Sequence, residues 1–175
     1  MVTTKGTPIG AAVSVSANIS SEEHEATTVF LEKMGVNYEI KPEHDAKDSF
    51  SSLVGGVLQV ISVGRGKISC SLVVKPSIKN AYGGMHGGSV AAVAHRVATA
   101  CAKTVVGKDK DIFLSELSIS YLSAAPENVQ AVVDGTVIKS GRNLTVVAVN
   151  FRLKDSGQLL FATHATFYNM PISSL

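Results

Sequence analysis

Apolar positions along this chain repeat with two different periods. Residues 56–63 and 67–75 are short runs rich in Val and Ile, separated by Gly64-Arg65-Gly66. That pattern predicts two strands joined by a hairpin turn, with Pro76 ending the second. From residue 87 to 106 alanine takes over, which predicts one long helix. This stretch has no broad charged face, so it is expected to be buried rather than amphipathic. Gly107, able to adopt a left-handed conformation without steric cost, is its expected stop. Four more strand-like segments follow at residues 112–123, 129–139, 144–153 and 159–169, separated by polar, glycine-containing or proline-containing turns, and the first alternates strongly. In the first of these strands Leu117, Ile119 and Tyr121 fall on one face, and Glu116, Ser118 and Ser120 on the other.

The N-terminal part reads differently. Residues 1–20 are Thr, Ser, Ala and Gly without periodicity and are expected to be disordered. Ser20 or Ser21 followed by Glu22 and Glu23 is a helix-start signal. Ala26, Val29, Phe30 and Met34 then form an apolar stripe, and Gly35 can close the helix. A short amphipathic helix that packs on the rest is predicted, followed by a polar connector over 39–54. The expected organisation is a disordered segment (1–20), a helix and connector (21–54), one folded domain (55–170) and a tail (171–175).

The order of elements is a short helix, two strands, a long helix and four strands. A meander of antiparallel strands needs one apolar layer on its apolar face, and the long helix supplies it. This is an α+β domain, an antiparallel sheet wrapped around a central helix. The sheet's edges would offer unpaired backbone groups unless covered, so edge-to-edge pairing of two copies is expected.

Composition narrows the function classes. At 175 residues with 45% hydrophobic content, the chain can build one sizeable core. A net charge of +2 without a dense basic stripe argues against nucleic acid as partner. No uncharged apolar run reaches the ~18 residues that span a bilayer, and the start lacks a secretory pattern. Cys70 and Cys101 lie in apolar surroundings and are expected to be buried thiols, not a bridge or a metal site. No metal or cofactor is called for.

The stretch from Asn80 to His95, with Gly83, Gly84, Gly87 and Gly88 before or at the helix start, carries the chemistry. Free backbone N–H groups at a helix N-terminus attract negative charge, and can hold an oxyanion as well as a phosphate.

This arrangement resembles the hotdog-fold acyl-CoA thioesterases, of the acyl-CoA thioesterase 13 and phenylacetate-pathway type. The resemblance covers roughly residues 55–170. It rests on Asn80 with His86-Gly87-Gly88 six residues on, and on the strand Ser118-Ile119-Ser120-Tyr121-Leu122-Ser123. Ser140-Gly141-Arg142-Asn143-Leu144, Val149-Asn150-Phe151 and Gly157-Gln158-Leu159-Leu160 add to it. It implies hydrolysis of a fatty- or aryl-acyl-CoA thioester to the acid and free CoA, without a metal. The Gly87 N–H would polarise the thioester carbonyl, His86 would orient the turn, and Asn80 would position water or substrate. Gly88 would line the substrate, and Lys139 and Arg142 at a hairpin would bind CoA phosphates.

The chain departs from the family in one place that matters. The mid-helix acid that normally serves as nucleophile or general base falls on His95, and its usual hydroxyl partner falls on Leu114. Ser115 is adjacent, but alternation points it to the other face. Nine residues along a helix is about half a turn out of phase and ~13.5 Å of rise, so His95 cannot meet His86 within one chain. In the family this is resolved across a dimer, so His95 is expected in the partner's site, as a homodimer or homotetramer. A neutral imidazole is a competent base for water; Glu116 is the alternative carboxylate. The competing readings are an acyl-CoA-binding or structural relative that has lost its acid, and hydration of an enoyl thioester. The last usually needs an Asp paired with the His, and none lies near His86. The ending Ser173-Ser174-Leu175 resembles the peroxisomal Ser-Lys-Leu address, so the cytoplasm or the peroxisomal matrix is the expected location.

Overall fold

The computed structural model describes residues 19–36 and 39–172. The terminal Ser173-Ser174-Leu175 and the segment expected to be disordered, up to residue 18, lie outside the described residues. The chain divides into two compact units, Met1–Phe50 and Ser51–Leu175.

In the first unit, helix α1 (Ser21–Lys33) starts with the expected signal. Ser20 Oγ accepts the Glu23 N–H at 3.2 Å, and the Glu23 carboxylate accepts the Ser20 N–H at 3.0 Å. These reciprocal bonds satisfy donors the first helical turn would leave unpaired. They hold the Glu23 carboxyl below the usual glutamate value, chiefly through the Ser20 hydroxyl. Gly35, at φ +86°, closes the helix as expected. The apolar stripe is not buried: Val29, Phe30 and Met34 are all exposed. The expected connector is also more structured than its composition suggests. It contains a 3-10 turn at Pro42–His44 and a short helix, α2 (Ser49–Gly55), whose Val54, already in the second unit, is buried.

The second unit is a six-stranded antiparallel sheet with a helix on one face. Its elements are β1 (Leu58–Gly64), β2 (Lys67–Val73), α3 (Gly87–Lys103), β3 (Lys110–Tyr121), β4 (Gln130–Ser140), β5 (Leu144–Leu153) and β6 (Leu159–Pro171). The strand order is β1-β2-β4-β5-β6-β3. Helix α3 therefore carries the chain from β2 across the sheet to its far edge, where β3 pairs only with β6. Burial alternates along the central strands. Val147, Val149 and Phe151 of β5, and Ala165 and Phe167 of β6, point inward and are fully buried. Val90, Val93, Ala94, Val97, Ala98, Cys101 and Ala102 of α3 close the core above them.

Two expectations about α3 are corrected. It is amphipathic: the face carrying His95, Arg96, Ala100 and Lys103 is exposed, while the opposite face is buried. Alanine, being small and only mildly apolar, occurs on both faces and hid this division in the sequence. The helix also ends at Lys103, before Gly107. Thr104 caps it, donating from Oγ1 to the Cys101 carbonyl at 2.7 Å while accepting the Gly66 N–H at 2.7 Å. The residue at this end is a threonine tied to the β1–β2 hairpin, not a left-handed glycine.

The register of β3 and β6 shifts between Leu114 and Glu116, leaving Ser115 as an extra residue. This bulge breaks the simple alternation used to place Ser115. Ser115 Oγ donates to the Thr166 carbonyl at 3.0 Å.

Candidate active site

The approach to α3 is a small loop held from three sides. A 3-10 turn, Pro76–Ile78, precedes it. Lys79 bridges to Met85, Gly84 bridges to Pro126, and the Met85 N–H donates to the Ala125 carbonyl at 2.8 Å. Lys79 and Glu127 form an ion pair across the same gap. The loop between β2 and α3 is thereby stitched to the β3–β4 connection.

Asn80 organises this loop from within. Its Oδ1 accepts the N–H of Tyr82 at 3.0 Å and of Gly84 at 3.1 Å, while its backbone carbonyl accepts the Gly83 N–H at 3.1 Å. An Asn side chain replacing a backbone acceptor is the usual chemistry of such turns. Gly83, at φ +87°, supplies the left-handed residue the turn needs. The Asn80 Nδ2 reaches the Met85 carbonyl only at 3.5 Å.

His86 is the N-cap of α3. Its backbone is extended (φ −65°, ψ 134°), and its N–H donates to the Ile78 carbonyl at 2.8 Å. Its ring folds over the helix start, where Nδ1 accepts the Gly88 N–H at 3.0 Å. Gly88 is glycine for a visible reason: a Cβ there would lie 3.2 Å from that Nδ1. Among the described residues the Gly87 N–H has no acceptor. One donor of the first turn is thus consumed by the imidazole, and the preceding one remains available, at the positive end of a 17-residue helix.

Tyr121, at the end of β3, lies against Gly87. Its hydroxyl donates to the Gly87 carbonyl at 3.1 Å, and a Cβ on Gly87 would meet the Tyr121 Oη at 3.3 Å. The ring packs edge-on to Phe161, centroids 5.8 Å apart, and Phe161 packs edge-on to the buried Phe151 at 5.5 Å. Sequence reasoning placed Tyr121 on the same face as Leu117 and Ile119 but gave it no role. Strand alternation says which side a residue faces, not which element sits opposite.

The other expected site residues stand apart within one chain. His95 is exposed on α3, its ring over Phe167 with centroids 6.4 Å apart and planes 27° from parallel. It lies ~13.5 Å along the helix from His86. Glu116 follows the β3 bulge and alternates away from Leu114 and Leu117, which pack on the core. It therefore lies on the sheet face opposite α3. Lys139 and Arg142 are at the far end of the unit. The Val137 N–H donates to the same Gly66 whose own N–H caps α3, which locates the β4–β5 hairpin at the helix C-terminus. That is ~25 Å from Gly87, the length of α3. Lys110 Nζ donates to the Arg142 carbonyl at 2.7 Å and Asn169 Nδ2 to the Gly141 carbonyl at 2.9 Å, so this hairpin is well anchored.

Among the described residues no cluster of His, Cys, Asp or Glu is arranged to hold a metal ion, and no helix is long and apolar enough to cross a membrane. Cys70 and Cys101 are buried free thiols. Desolvation raises the pKa of both, with the Asp134 charge a further cause at Cys70.

Comparison with known proteins agrees with the fold. The Thioesterase superfamily profile matches residues 82–160, from the Asn80 loop through β6's first residues. A Caenorhabditis elegans protein named as an esterase is 36% identical over 101 residues, which is 57% of this chain and 58% of that protein. Human acyl-coenzyme A thioesterase 13 is 27% identical over 105 residues, 60% of this chain and 74% of the enzyme. Among solved structures, zebra fish thioesterase superfamily member 2 superposes with a TM-score of 0.65 at 21% identity, over 83% of this chain and 96% of that one. A Streptococcus mutans protein bound to acetyl-CoA gives 0.60 at 20% identity, over 65% and 89%. The fold is the hotdog fold.

Proposed function

Taking residues 82–160 as a Thioesterase superfamily domain, we propose that this chain hydrolyses acyl-CoA thioesters, to a fatty or aryl acid and free CoA. The observation that carries this reading is the Gly87 N–H, without an acceptor among the described residues and held at the head of α3 between His86 and Tyr121. A thioester carbonyl directed at it gains negative charge as water attacks, and a preorganised donor at a helix start stabilises that charge. His86 keeps the neighbouring Gly88 N–H engaged. Asn80 holds the loop that aims His86, and that structural role is the better supported one for its side chain.

The base must come from elsewhere. β3 leaves one edge of its backbone unpaired at the rim of the sheet, and α3 exposes His95 beside Phe167. A two-fold pairing of two copies through β3 satisfies that edge and sets the exposed helix faces against each other. His95 of one copy then stands at the helix start of its partner, and the Lys139–Arg142 end approaches the partner's bound nucleotide. The His95 imidazole takes the proton of the attacking water, the tetrahedral oxyanion rests on Gly87 N–H, and its collapse expels the CoA thiolate. Relatives named for acyl-CoA hydrolysis, and a similar fold holding acetyl-CoA, support the substrate class. Since the chain matches only 58% of the length of the C. elegans relative, activity and substrate are proposals for the protein as a whole.

The test is free-thiol release from a panel of acyl-CoAs by wild type, His95→Ala and His95→Asp. Turnover by wild type that is lost in His95→Ala supports His95 as base. An inert wild type with an active His95→Asp favours a natural binding protein that lacks its acid. Inertness of all three proteins, without thermal stabilisation by acyl-CoA, overturns the reading.

A further inference from the structure

The first peptide of α3 is fixed at both of its polar ends. In the Gly87–Gly88 peptide group the carbonyl oxygen accepts the Tyr121 hydroxyl at 3.1 Å, and the N–H is bound by His86 Nδ1 at 3.0 Å. The two anchors come from different places. His86 is the helix's own cap. Tyr121 is the last residue of β3, 34 positions along the chain.

Two successive glycines need such anchors. Without Cβ atoms, neither residue has a side chain to restrict its peptide orientation, and both φ signs are accessible. The Gly87 N–H belongs to the adjoining His86–Gly87 peptide, so its direction is set by the same turn. The glycines also give the anchors room. A Cβ on Gly87 would press on the Tyr121 ring, with Oη at 3.3 Å, Cζ at 3.5 Å and Cε1 at 3.6 Å. A Cβ on Gly88 would press on the His86 imidazole at 3.2 Å.

Tyr121 is held for this task rather than for burial. It remains 55% exposed, yet its ring is edge-on to Phe161, which in turn leans on the fully buried Phe151. The aromatic series links the sheet core to the helix start. An exposed tyrosine that served only as filler would have no need of a phenol oxygen aimed at one backbone carbonyl.

We propose that Tyr121 is a positioning residue for carbonyl activation: its hydroxyl clamps the Gly87–Gly88 peptide and so orients the Gly87 N–H. This rests on the thioesterase reading for its consequence, though not for its structure. Tyr121 touches no reacting atom in this scheme. It lowers the cost of ordering the donor before the transition state forms.

The variant is Tyr121→Phe, which keeps the ring and its contacts and removes only the donor, with Tyr168→Phe, an exposed tyrosine on the opposite face of the sheet, as control. The first readout needs no substrate. In isotope-labelled protein, the Gly87 carbonyl and Gly88 amide resonances should shift in Tyr121→Phe and stay fixed in Tyr168→Phe. The second is acyl-CoA turnover, where kcat should fall about tenfold with KM within about twofold. Unchanged Gly87 and Gly88 resonances overturn the clamp, and so does an unchanged kcat in an enzyme that turns over. If wild type hydrolyses no acyl-CoA, the functional reading fails separately. The clamp is then decided by the resonances alone, a shift confined to the turn supporting it and none overturning it.

Discussion

Gly135 of β4 lies directly under Val97 of α3, so close that a Cβ on the glycine would sit 3.1 Å from the Val97 Cγ1 and 3.3 Å from the Cys101 Cβ. Helix and sheet meet there with only a hydrogen between them. Gly135→Ala must lift α3 or displace Val97, and should cost about 1–3 kcal/mol, the usual range for overpacking a filled core. Urea unfolding should show a lower midpoint with an unchanged slope. Because α3 carries His95 and is capped by His86, the variant should also lose activity at temperatures where it remains folded.

Asn80 separates a loop-building role from a chemical one. Asn80→Ala removes the acceptor of two backbone N–H groups, those of Tyr82 and Gly84. It should destabilise the fold by about 1–2 kcal/mol and lower turnover as well. Asn80→Asp keeps the acceptor oxygen, and should restore thermal stability and most of the turnover. Loss of turnover in Asn80→Asp at full stability would instead assign the amide a direct part in the reaction.

The proposed pairing of His86 with the partner's His95 predicts a quantitative outcome. Homodimers of His86→Ala and of His95→Ala should each be inactive. A mixed dimer rebuilds one intact site, from the His86 of one chain and the His95 of the other. Equal mixtures, unfolded and refolded together, make half of the dimers mixed, so about one quarter of wild-type activity should return. No recovery would place both residues' functions within one chain, against the ~13.5 Å that separates them along α3.

The two thiols should be silent in the folded protein. Burial raises the pKa of Cys70 and Cys101, so the reactive thiolate is scarce near neutral pH. Disulfide-exchange reagents should titrate both only after denaturation, which leaves free CoA as the thiol detected in a hydrolysis assay. The same shift has a stability consequence. The folded state keeps these protons to a higher pH than the unfolded state, so the unfolded chain binds fewer protons there. Stability is therefore retained below the ordinary thiol pKa, and should decline as pH rises from there through the raised values. A urea midpoint that rose on the alkaline side would contradict this.

The amino-acid sequence alone determined the six strands and the start of the long helix in the second unit. Period-2 alternation in residues 112–123 and the alanine-rich run from Gly87 are local patterns, and local backbone geometry reads them directly. The helix start was legible for the same reason, since His86, Gly87 and Gly88 are consecutive and cap chemistry spans only a few residues. Tertiary structure decided what depends on which element lies opposite. Thr104, at the end of α3, is tied to Gly66, 38 residues away. Ser115 leaves the alternation because β6 imposes a shifted register. Tyr121 reaches the Gly87 carbonyl because the end of β3 comes to rest beside the start of α3. Alternation gives a strand residue its side of the sheet. Its neighbour is set by the path of the chain between distant segments, which no local period encodes.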